Sequence, residues 1–230
     1  MNGDRSMQLR GGTGIFTGRI PFVWIGNQIS NGKIFPGGTY QINGTVDKFK
    51  FPQVWRTNFA IDKELPWDMV GTLEAIYSKD INAVIHRNYN MRLPSQTSKG
   101  ADTRPIFDST DVRIYSFLDA GAIMLDNTNE GYQYSITAQL RKNFDFGLTT
   151  NLAYTYSQSK DITSNPGEIA SDAFQRNLVV GNPNTPTLSW SDYGLRNRVI
   201  GAISYDVEYA EHFGTTISLF FEAADGNRFS

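Results

Sequence analysis

The chain has 230 residues, a formal net charge of -2 and no cysteine. So small a charge excludes a strong field for nucleic acid, and the missing thiols exclude disulfides and thiolate metal sites. Aromatics are 13% of residues against a hydrophobic fraction of 40%, and no apolar run nears the ~20 residues of a membrane-spanning helix.

The start, MNGDRSMQLRGG, carries no apolar signal core, so the chain is expected to begin within a longer protein. Residues 7–16 read as a glycine-broken strand. Gly12-Thr13-Gly14 does not make a dinucleotide loop, because Thr17 stands where the third glycine belongs and no helix is predicted after it. Residues 17–50, rich in Gly, Asn and Pro, read as a long loop. A strand over 53–62 places Trp55, Thr57, Phe59 and Ile61 on one side and Arg56, Asn58 and Asp62 on the other. A short turn at Lys63–Pro66 leads into a long strand over 67–86. Its apolar side runs from Trp67 to Tyr77 and then meets Lys79, about the height of a bilayer core, with Glu74 on the opposite side. We expect Lys79 at the headgroups and the strand beyond it in solvent.

Residues 87–111 read as loop, and 112–129 as an extended hairpin outside the membrane. Tyr132 to Tyr156 is the clearest stretch, two arms of period-two alternation joined by Asn143–Gly147. Ile136 and Leu140 oppose Thr137, Gln139 and Arg141 on the first arm; Leu152 and Tyr154 oppose Asn151 and Thr155 on the second. Tyrosines crowd the far end of both arms and phenylalanines the turn, as in the aromatic girdles of an outer-membrane barrel. A third loop spans 158–195, with helical turns expected over Gly167–Gln175. Strands over 196–209 and 215–224 close the series. In them Ile203, Tyr205 and Leu219 face out, and Ser204, Asp206 and Glu222 face in.

Short connections (63–66, 143–147, 210–214) alternate strictly with long ones (17–50, 87–129, 158–195). Short turns at one rim and long loops at the other is the plan of outer-membrane barrels, whereas a soluble sandwich has no reason to sort loops by length. The fold class expected is all-β: an antiparallel transmembrane β-barrel segment of about seven strands in an up-and-down meander. Seven is odd, and the first and last strands run the same way, so an open, curved sheet with long extracellular loops is expected rather than a closed ring. The lumen-facing set is Arg56, Asn58, Glu74, Gln139, Arg141, Asn151, Ser204, Asp206 and Glu222. The lipid-facing set includes Phe59, Leu73, Ile136, Leu152, Ile203 and Leu219.

In order along the chain, Leu9-Arg10-Gly11-Gly12-Thr13-Gly14-Ile15-Phe16-Thr17-Gly18-Arg19, Pro21-Phe22-Val23-Trp24, Phe51-Pro52-Gln53-Val54-Trp55-Arg56, Asn151-Leu152-Ala153-Tyr154-Thr155-Tyr156-Ser157 and Arg196-Asn197-Arg198-Val199 resemble the Oar-like TonB-dependent receptors of the Gram-negative outer membrane, in mid-barrel. The resemblance implies that residues 1–230 are part of a 22-stranded barrel that closes around an N-terminal plug and imports a nutrient with energy passed through a TonB box. It implies as partners outer-membrane lipid, the plug and remaining strands of the same receptor, the TonB complex and a nutrient ligand.

Enzyme chemistry is not expected, nor any cofactor or metal. His86 and His212 belong to opposite rims, too far apart to share a metal. Asp206 and Glu208 share a face but suit a wet lumen better than a glycosidase pair. Asp126, Thr128 and Glu130 lack the glycine-turned loop of a calcium site. The alternative to uptake is an outer-membrane binding or adhesion protein whose loop aromatics Trp24, Tyr40, Trp190 and Tyr193 hold a glycan or a partner. A soluble sandwich enzyme ranks last.

Overall fold

A computed structural model describes residues 6–32, 41–107, 112–118, 121–226 and 228. Seven long strands form the wall: β1 (Met7–Thr17), β3 (Gln53–Leu65), β4 (Met69–Asn88), β8 (Tyr132–Asn143), β9 (Leu148–Asp161), β11 (Asn197–Tyr209) and β12 (Phe213–Ala224). They pair in chain order, every neighbour antiparallel, and β1 and β12 are the two ends of an open sheet among the described residues. The meander therefore stands, with an odd number of wall strands and both edge strands running the same way.

Hairpin turns fall where local sequence demands them. Gly147 has φ +89°, a conformation that glycine takes freely, and a Cβ there would lie 2.4 Å from the backbone oxygen of Asp206. The first expected turn shifts by a few residues: β3 continues to Leu65, and the chain reverses through Trp67 and Asp68, both at positive φ. The last turn is likewise tighter than 210–214, because Phe213 and Gly214 already pair with Tyr209 and Glu208.

The long-loop rim differs more from expectation. Residues 17–50 are not simply loop: they contain α1 (Phe22–Gly26), a 3-10 turn (Asn27–Gly32) and β2 (Gln41–Thr45). The expected hairpin over 112–129 is instead one strand, β7 (Gly121–Thr128). It pairs antiparallel with the far end of β4 and parallel with β2. The end of β4 thus does not run free into solvent. Two further small pairs lie in this region, β5 (Gln96–Thr97) with β6 (Pro105–Ile106), and β10 (Ser189–Trp190) with β9. The helical turns expected over 167–175 appear as α2 (Ala170–Gln175). Tyr40 and the remainder of 33–40, 108–111 and 119–120 lie outside the described residues.

These pieces make a small packed cap. Trp24, Val84, Ile123, Leu125, Ala170 and Ala173 are buried together, with Ile20, Phe49 and Phe174 against them. This is the one hydrophobic cluster among the described residues whose members are screened from all sides, whereas the wall has no second layer. Phe59, Leu73, Ile136, Leu152, Ile203 and Leu219 are 47–67% exposed. A row of large apolar side chains on that scale is untenable in water and fits contact with lipid.

Candidate functional site

Residues directly opposite in an antiparallel pair project to the same face, so the register sorts the wall into two surfaces. All nine residues of the predicted polar set fall on one of them. Arg141 stands opposite Asn151, and Glu74 opposite Thr137, which is opposite Thr155. Ser204 stands opposite Ser218, and Glu222 opposite Ile200. The set does not converge on one pocket. It spreads along the wall as cross-strand polar contacts: Gln139 donates to Asn151 at 2.7 Å, Arg56 to Ser78 at 2.9 Å, and Arg198 to Glu222 at 2.8 Å. Near the short-turn rim Thr216 donates to Asp206 at 2.5 Å. Asn58 stands opposite Gly12 and Ile76.

One cluster on this face escaped the sequence reading. Arg10 donates to Asp62 through Nε (2.6 Å) and Nη2 (3.1 Å), and Thr72 donates to the same carboxylate at 2.6 Å. The signal is the register of three strands, which alternation alone does not supply.

The opposite face is apolar across its middle. Apart from Arg87 at the cap end of β4, its charged residues in the wall strands are four lysines and no carboxylate. Lys63 and Lys142 lie toward the short turns, and Lys79 and Lys160 at the long-loop end. Tyr132, opposite Lys79, and Lys142 are ten positions apart on β8, about 34 Å along an extended strand and roughly 26 Å in height at a 40° tilt. That is the height of an outer-membrane apolar band. Trp55, Tyr77, Tyr132, Tyr134, Tyr154 and Tyr156 form a belt on the same face; Trp55 meets Tyr77 edge-on at 5.9 Å, and Tyr134 lies 6.3 Å from Tyr156.

Where wall meets cap, the β3–β4 register slips between Gln53 and Val54, and β4 changes partner from β8 to β7. A cavity of about 280 Å³ opens at this junction, lined among others by Arg19, Trp24, Asp80, Asn82, Asp161 and Asn165. Asp80 and Asp161 lie beyond the crossing portion, which ends at Lys79. Burial pushes both carboxyls above their usual range, offset for Asp80 by Lys79 and for Asp161 by Ser191 and Ser164. Deeper in the cap, His86 packs against the edge of Trp24 at 4.5 Å between ring centroids. Burial lowers its pKa to about 4, with a small opposing effect of Asn165. Among the described residues no group of His, Asp and Glu has the arrangement of a metal site. His212 sits in the last short turn, in chain terms far from His86 at the opposite rim.

A sheet polar on one side, banded by aromatics and rimmed by lysines on the other, is the wall of an outer-membrane β-barrel protein. Compared with known families, residues 4–224 match the outer membrane beta barrel domain. The chain belongs to that family, and its place is the outer membrane of a Gram-negative bacterium. No curated protein and no solved structure matches it.

Proposed function

We propose that the chain forms part of the wall and outer loops of a TonB-dependent receptor that takes up a nutrient. On this reading Arg56, Asn58, Glu74, Gln139, Arg141, Asn151, Ser204, Asp206 and Glu222 line the lumen. The plug and further strands of the same receptor pack against that face and the two free edges. The supporting observation is the polar face itself. It holds both signs of charge paired across strands, as at Arg10–Asp62 and Arg198–Glu222. Such a surface suits a hydrated interior filled by a mobile plug. The cap at the long-loop rim then lies outside the cell, where ligand is captured. No catalytic step is assigned to it.

The adhesion reading draws support from Tyr193, 76% exposed on the third loop, but it loses Trp24, which is 4% exposed inside the cap. Two measurements separate them. The coding sequence flanking this chain should contain a plug and a TonB box, and the detergent-extracted protein should be retained by the periplasmic domain of TonB. A protein lacking both the box and the retention would be a binding or adhesion barrel.

A further inference from the structure

We propose that the apolar face carries, at its long-loop rim, a docking site for a phosphate-bearing lipid of the outer leaflet. The register places Trp55, Lys79, Tyr132, Lys160 and Trp190 side by side in one cross-strand row, each directly opposite the next. Lys79 and Lys160 are two strands apart, about 10 Å, and they flank the phenol of Tyr132. The aromatic stems pack on acyl chains while the ammonium groups reach the head group, the ordinary division of labour at a membrane interface.

The charge at this row is answered within the chain only in part, by the attraction between Lys79 and the neighbouring Asp80. Lys79 donates to the carbonyls of Asn129 and Gly131, at 2.6 and 3.2 Å, which orients the ammonium without neutralising it. Lys160 lies 4.7 Å above the Trp190 ring, and Arg228 lies 4.1 Å from the same ring. Arg196 sits 5.5 Å over Tyr156 on this face. Among the described residues none of these four cations pairs with a carboxylate. By register Asp80 and Asp161 stand on the opposite face from Lys79 and Lys160. An anion on the lipid side complements the row, and phosphate on a lipid head group is the anion found at that depth.

The site rests on the long-loop rim facing outward, and the test separates the two claims. The whole protein, extracted in mild detergent, is titrated with lipid A bearing two phosphates, with dephosphorylated lipid A, and with inorganic phosphate as competitor. The double variant Lys79→Gln/Lys160→Gln should weaken binding of phosphorylated lipid A about 30-fold, roughly fivefold per lysine. Lys63→Gln/Lys142→Gln, the same charge change on the same face at the other rim, should leave it unchanged. Lys79→Arg/Lys160→Arg keeps the charge and should bind, which covers failure of the Gln pair to fold. Equal binding of dephosphorylated lipid, or full displacement by millimolar phosphate, would overturn the site. Loss only in the Lys63/Lys142 pair would overturn it by reversing the rims, while uptake through TonB could still hold.

Discussion

Ile136 and Thr137 are adjacent, on one strand, at one depth, and on opposite faces. Ile136 is opposite Ala75 and Tyr156 on the apolar side, and Thr137 bonds Thr155 at 2.9 Å on the polar side. Ile136 lies four positions from Tyr132 and six from Lys142, so it sits about 10 Å below one edge of the band and about 16 Å from the other. An arginine there meets hydrocarbon, at a cost of ~2–4 kcal/mol. At Thr137 the same arginine should find water and polar neighbours and cost less than ~1 kcal/mol. Leu140→Arg supplies the depth control: two positions from Lys142, about 5 Å from the rim, it should fall to ~0–1 kcal/mol as the side chain snorkels. Urea unfolding of the protein in lipid vesicles, followed by heat-modifiability on a gel, reads all three. Equal losses at Ile136 and Thr137, or no gradient from Ile136 to Leu140, would refute the face assignment.

Protease added to whole cells should cut within 94–104 or 167–186 and spare Pro66–Asp68; cleavage at the short turns would invert the topology. Gly147→Ala should destabilise by ~1–3 kcal/mol in the same urea assay, because φ +89° and the Asp206 oxygen both oppose a Cβ; an unchanged midpoint would show the turn to be slack. His86 titrates near 4 when folded against 6.5 when unfolded, so its contribution is intact above pH 6.5 and declines as pH falls toward 4, by ~3 kcal/mol in all. Trp24 fluorescence should report cap opening over that window, and His86→Phe should flatten the profile; an identical acid transition in the variant would clear His86 of the role.

The wall was legible because a strand with one face in lipid and one in water writes its pattern into every second residue, and Ile136, Leu140, Leu152 and Leu219 all obey it. The cap was not. Its strands are short, and β2 (QINGT) has no alternation to detect. Its core residues Trp24, Ile123 and Ala170 come from three distant segments, each unremarkable alone. The parallel β2–β7 pair joins residues 80 apart, Gln41 to Gly121, which no local signal predicts. The cavity carboxylates needed the same tertiary knowledge: Asp80 lies within β4 and Asp161 at the end of β9, and they line one cavity only once β4, β8 and β9 are in register.

That distribution of contacts orders the assembly of the molecule in time. Each wall hairpin closes across a turn of a few residues, so it forms as soon as its two arms are available. The cap cannot close until α2 is present, because Ala170 and Ala173 complete a cluster begun by Trp24 nearly 150 residues earlier. β4 belongs to both, its first half to the wall and its last to the cap. The cap therefore sets after the β3–β4 and β8–β9 hairpins, on a β4 already fixed by its neighbours. A lesion in the cap core should leave insertion intact and show itself afterwards, as a barrel that reaches the membrane with its outer surface unfinished.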